Sequence, residues 1–136
     1  MITWRSFHQT ADTSVIQTIE SQFEISFPKE YIQLVMKYDS GVPDKKLFEA
    51  GGKQRVFQRL ISIRADKHPN ISDAVQWVDQ DVTRIPFALD PFGNMLCFAY
   101  SGNQIPEIVF VESENNTTYS VSQSLDAFLE ALYSDR

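Results

Sequence analysis

Residues 85–100, IPFALDPFGNMLCFAY, constrain the fold more than any other stretch of this chain. An apolar run leads into Asp90-Pro91-Phe92-Gly93-Asn94, and a second apolar run follows. Two such runs around a short turn predict an antiparallel hairpin with strands over Phe87–Leu89 and Met95–Tyr100. Pro91 presets φ at the second turn position, and Gly93 accepts a positive φ. The Asp90 carboxylate can accept a hydrogen bond from the backbone two residues on. Asp90, Gly93 and Asn94 thus all have architectural tasks in the turn, and Asp90 is also a candidate partner contact.

Around the hairpin, apolar spacing predicts the remaining elements. Val15, Ile16, Ile19 and Phe23 share one face of a helix over 13–23, with Asp12 or Thr13 able to cap it. Tyr31, Leu34, Val35 and Tyr38 repeat at i, i+3, i+4, i+7, predicting a helix over 29–39. Pro28 suits its first turn, and Gly41 is the candidate for a left-handed ending. Residues 42–54 read as loop and edge material with a turn at Gly51-Gly52-Lys53, and RVFQRLISI, 55–63, as one strand. Asn70 can cap a short helix over 70–78. EIVFVE, 107–112, has the apolar run of a strand buried on both faces, and Asn115-Asn116 turns the chain into a strand over 117–121. Leu125, Phe128, Leu129 and Leu132 predict a last helix over 123–133, with Ser122 or Ser124 as cap. Tight turns imply antiparallel neighbours, and helices and strands are segregated along the chain. The expected fold is one α+β domain spanning 1–136, with a mixed or mostly antiparallel sheet and the N- and C-terminal helices packed against it.

The sequence offers little for catalysis. Two histidines, His8 and His68, and one cysteine, Cys97, lie far apart, without the short spacings of a structural zinc site. Cys97 sits in an apolar strand, where a thiol is buried and inert. No serine lies in a strand-turn-helix elbow, and no phosphate-binding loop is present. Asp79/Asp81 and Glu112/Glu114 are paired carboxylates whose ordinary state is solvation. The expectation is therefore a protein that is not an enzyme and holds no metal or cofactor. Lys45, Lys46, Lys53, Arg55 and Arg59, interleaved with Phe48 and Phe57, could in principle grip a nucleic acid. A net charge of −6 opposes a polyanion, so no nucleic acid is expected as partner. No apolar run approaches the ~20 residues of a membrane span. The opening MITWRSFHQT holds no secretory leader pattern, and a cytoplasmic location is expected.

Charge is divided unevenly. Residues 1–70 hold ten Lys/Arg and eight Asp/Glu, whereas 71–136 hold two Lys/Arg and ten Asp/Glu. An acidic half is either a solvated surface or the complement of a basic partner.

The ordered set of motifs resembles the SUKH superfamily, the group of the yeast cell-wall-assembly regulator and its bacterial relatives. VIQTIESQF is followed by ISFPKEYIQLV, similar to the family's apolar-x-Leu/Phe-Pro-x-Asp/Glu-Tyr helix signature. IPFALDPFGNMLCFAY resembles its Pro-Phe-Ala-x-Asp-x-x-Gly-Asn-x-Leu-Cys hairpin, and EIVFVE and SQSLDAFLEAL its penultimate strand and last helix. Asp39-Ser40-Gly41 stands where the family commonly has Asn-Gly-Gly, and 42–84 show no matching motif. The resemblance implies a non-catalytic immunity protein that binds and neutralises a cognate bacterial toxin domain, a nuclease in many systems. The alternative it implies is a regulatory protein-interaction module without a toxin. Nuclease domains tend to be basic, which would give the acidic half its use. Asp79, Asp81, Asp90, Glu107, Glu112 and Glu114, which crowd around the predicted strands and turns, are the expected partner contacts.

Overall fold

The computed structural model describes residues 2–9, 12–78, 83–101 and 105–134. A short strand β1 (Trp4–Arg5) precedes helix α1 (Ser14–Phe23), which buries Ile16 and Ile19 as its spacing requires. Thr13 is the residue preceding α1, but the side-chain bond there comes from Asp12, whose Oδ1 accepts from Ser14 N at 2.9 Å. Helix α2 (Lys29–Tyr38) follows Pro28 and buries Tyr31 and Val35. It ends differently from expectation. Ser40, not Gly41, has the positive φ, 66°. Gly41 is needed for room instead: a Cβ there would lie 2.7 Å from the Tyr38 carbonyl oxygen and 3.0 Å from the Trp4 ring.

Residues 42–63 are more ordered than the expected loop and single strand. β2 (Val42–Pro43) pairs with β1, and β3 (Leu47–Ala50) forms a hairpin with β4 (Lys53–Val56). Gly51 and Gly52 close that hairpin with φ of 64° and 76°, values that suit glycine in a two-residue turn. The run 55–63 is broken at Phe57. β4 stays with β3, while β5 (Arg59–Leu60) joins the main sheet. Phe57 is fully buried between Trp4 and Phe128, so the chain turns inward where a continuous strand would have continued past the core. α3 (Ile71–Ala74) is a single turn that tightens into a 3₁₀ turn over Val75–Trp77, and Asn70 caps it by accepting from Asp73 N at 2.9 Å.

The main sheet has five antiparallel strands in the order β5, β6 (Thr83–Leu89), β7 (Met95–Tyr100), β8 (Glu107–Glu112) and β9 (Thr117–Ser122). Pro86 cannot donate to a ladder, and the β6–β7 register shifts between Pro86 and Ala88, the bulge at which an internal proline is tolerated. α4 (Leu125–Ala131) is capped by Ser124, whose Oγ accepts from Ala127 N at 3.1 Å, and is shorter than the expected 123–133.

One sheet face carries Ile85, Phe98 and Ile108 in one cross-strand row and Leu96 and Phe110 in the next. Aromatic rings join this face to the helices. Phe98 stacks on Phe87 at 4.4 Å and meets Tyr31 edge-on at 5.1 Å. Phe48 links Phe110 at 5.6 Å to Phe128 of α4 at 5.4 Å. Each fully buried ring of this kind contributes roughly 1.5–3 kcal/mol relative to exposure. α2, α4 and the β3–β4 hairpin thus lie on this side of the sheet, an α+β architecture. The opposite face carries the rows Arg84, Ala99, Glu107 and Pro86, Cys97, Val109, Ser120.

Candidate interaction surface

The turn between β6 and β7 is built around one carboxylate. Asp90 is 5% exposed. Its Oδ1 accepts from Phe92 N at 2.9 Å and Asn94 N at 2.7 Å, and its Oδ2 from Asn94 Nδ2 at 2.9 Å. Gly93 supplies a φ of 86°. Asn94 then passes the restraint on, because its Oδ1 accepts from Ser113 N at 3.0 Å, while Ser113 Oγ donates to Gly93 O at 2.6 Å. The β6–β7 and β8–β9 turns are therefore tied together, and Phe92 projects from the pair, 83% exposed. Asp90, Gly93 and Asn94 do hold the turn, as their chemistry requires. The tie to Ser113 left no local trace in the sequence, since it joins residues nineteen and twenty positions apart.

The other acidic residues occupy different settings. Glu114 is exposed on the β8–β9 turn, next to Ser113. Glu107 is exposed at the opposite end of β8, on the rim of a groove of about 540 Å³ that Arg84, Tyr100 and Ile105 also line. A strand advances ~3.3 Å per residue, so Glu107 and Glu114 stand roughly 20 Å apart. Glu112 faces inward. Its Oε2 pairs with Arg55 Nη1 at 3.0 Å, and its Oε1 accepts from Tyr119 OH at 3.1 Å. The Arg55 hydrogen bond holds the Glu112 carboxyl below its usual range, and that carboxylate in turn raises Tyr119. Asp79 and Asp81 lie outside the described residues. Asp90, Glu112 and Glu114 are thus brought to one end of the sheet, and Glu107 is not.

The basic and aromatic run at 45–59 is largely internal structure. Phe48 and Phe57 are buried and offer no face for stacking. Arg55 donates through Nε to Ala50 O at 3.1 Å and lies 4.8 Å over the Phe110 ring, which fastens the β3–β4 hairpin to β8 and β9. Arg59 donates through Nε and Nη2 to Ser40 O at 3.1 and 2.9 Å.

Asp39 is a buried carboxylate that spacing alone did not single out. It is fully buried, accepts from Ser62 Oγ at 2.7 Å and from Ile63 N at 3.0 Å, and its backbone oxygen accepts from His8 N at 2.9 Å. Burial raises its pKa, and the bonds from Ser62 and Ile63 offset part of the rise. Its one trace in the sequence is the Asp39-Ser40-Gly41 departure. The group joins the end of α2 to the loop after β5. Ser62 Oγ donates to Asp39 and accepts from Arg64 N at 3.0 Å, so both sides of the hydroxyl are occupied by structure. Cys97 is fully buried, and burial pushes its thiol up to about 12, far from the thiolate that nucleophilic chemistry needs. Among the described residues, no three His, Cys, Asp or Glu side chains come together as metal ligands would. No helix among them is long and apolar enough to cross a membrane.

The described surface thus presents a braced turn with a projecting aromatic, an exposed acidic residue on the adjoining turn, and a groove at the other end of β8. The SMI1-KNR4 cell-wall family model, SUKH_6, matches residues 13–129. The chain belongs to the SUKH family. No curated protein gives a match. The SUKH match begins at Thr13, before α1, and ends inside α4, so it takes in both opening helices, the β3–β4 hairpin and the whole five-stranded sheet. It leaves β1 outside, the strand that brings Trp4 over Tyr38 and Phe57.

Proposed function

We propose that this SUKH-family chain is a non-catalytic immunity protein of the cytoplasm that binds and neutralises a basic toxin domain, a nuclease being the activity best matched to its charge. The observation that carries this reading is the family match over residues 13–129. Two further features support it. Residues 71–136 hold ten Asp/Glu against two Lys/Arg, a field that attracts a basic domain and speeds its capture. The lone cysteine is buried with its thiol at about 12, which leaves it no part in catalysis. Glu107 and Glu114, as exposed carboxylates, together with Asp79 and Asp81, steer the partner. Asp90 and Glu112 act indirectly, by holding the turns that present it. Steering by surface charge works over about 8–10 Å in physiological buffer, so association slows as salt rises. The description of the matching family, SMI1-KNR4 cell-wall, favours a second reading, a regulatory interaction module.

The test is protection. The terminal domain of a toxin gene adjacent to this one is expressed with and without this chain. Rescue of growth supports the immunity reading. Undiminished killing, with the chain folded and abundant, overturns it in favour of the regulatory module.

A further inference from the structure

We propose that Phe92 is the apolar anchor of the partner interface, seated in an apolar pocket with a basic rim on the bound protein; this deepens, and rests on, the binding reading above. At 83% exposed, Phe92 is the most exposed large apolar side chain among the described residues. The turn itself needs Asp90, Pro91, Gly93 and Asn94, and an exposed ring is not required to close it. Yet the backbone that carries the ring is braced. Phe92 N is bonded to the Asp90 carboxylate, and the following Gly93–Asn94 segment is tied to the β8–β9 turn through Ser113. An aromatic carried on a braced backbone has only two side-chain torsions left to order on binding, a small cost of the kind that lets interface anchors concentrate affinity in one side chain.

The same ties define the partner's chemistry. Ser113 is held against Gly93 and Asn94, so Phe92 and exposed Glu114 are carried on two turns bonded to each other. A pocket that accepts the ring therefore faces an acidic residue on the adjoining turn, and a basic rim is the complement. A second copy of this chain is a poor occupant. A two-fold contact through this tip would bring acidic turns together. It would also bury about 200 Å² per ring, far less than the ~1,200 Å² of a stable interface.

The probe is the candidate toxin domain of the protection test above, purified with an inactivating substitution, and binding is followed by surface plasmon resonance. Phe92→Ala should weaken binding at least about 30-fold, chiefly through faster dissociation, with unchanged thermal stability. Glu114→Lys should act mainly by slowing association. Gln17→Ala, on the exposed face of α1, should bind as the parent does. A Phe92→Ala variant within about threefold of the parent overturns the anchor while leaving the immunity reading intact. Loss of binding only together with loss of stability overturns it too, because the ring would then be serving the fold. A parent that does not bind the probe overturns both readings, and a parent dimer dissolved by Phe92→Ala assigns the tip to self-association instead.

Discussion

Replacing Asp90 by alanine removes the group on which the β6–β7 turn is built. Three donors lose their acceptor: Phe92 N, Asn94 N and Asn94 Nδ2, at 2.7–2.9 Å. A hydrogen bond to a charged group contributes about 1.5–3 kcal/mol, and a donor that regains water recovers most of it. Phe92 is exposed, so its N–H is readily hydrated, whereas Asn94 is only half-exposed and its side chain is also committed to Ser113. One bond lost outright and two in part give an expected cost of about 2–4 kcal/mol. Asp90→Asn is the sharper variant. It retains an acceptor for the two backbone donors but turns an amide toward the Asn94 amide. Relief by flipping Asn94 would sacrifice its acceptor for Ser113 N, so about 1–2 kcal/mol is expected. Urea unfolding measures both, as a lower midpoint at unchanged slope. A midpoint for Asp90→Ala equivalent to less than about 0.5 kcal/mol would refute the reasoning, since surface substitutions free of structural work fall in that range.

Further outcomes follow from other sites. Gly93→Val should cost about 1–3 kcal/mol by chemical denaturation, through backbone strain alone, because φ is 86° and a Cβ there would meet nothing within 4 Å. Gly51→Ala should cost more than Gly52→Ala in the same assay: both have positive φ, but only a Cβ at Gly51 would strike the Tyr119 ring, at 2.8 Å. Burial raises the pKa of Asp39, so the folded state holds its proton longer than the unfolded state and stability falls as pH rises through that raised pKa. Asp39→Asn should remove this loss, and midpoints measured from acid to neutral pH should shift in the variant's favour as pH rises; a constant difference would contradict it. With its thiol at about 12 and no exposure, Cys97 should resist thiol reagents in the native protein and react only as the chain unfolds.

Much of the scaffold was legible because its information is local and periodic. α1 and α2 follow from apolar stripes, Asn70 from its capping chemistry, and the 85–100 hairpin from Asp90, Pro91 and Gly93. What the sequence hid depends on contacts between distant segments. The break at Phe57 is set by Trp4 and Phe128, whose rings hold it in the core, and an apolar run carries no mark of such a corner. The positive φ falls on Ser40, while Gly41 is needed for room beside Tyr38 and Trp4, and the Trp4 part of that crowding exists only once β1 is in place. The acidic surface was legible as a charge total and not as a set of residues. Counting carboxylates cannot separate Glu112, paired with Arg55 across the β3–β4 hairpin, or Asp90, consumed by its own turn, from Glu107 and Glu114, which face solvent.

The proposed function has this SUKH-family protein act by stoichiometric binding and not by turnover. Its most direct test is a titration of the purified toxin domain, active on its own substrate, with increasing amounts of this chain. The account predicts that activity falls linearly and is extinguished at an equimolar ratio, with weaker inhibition at high salt and no consumption of substrate by this chain alone. Full toxin activity in the presence of a large excess of folded chain would contradict it, as would inhibition at catalytic amounts that leaves the toxin chemically altered.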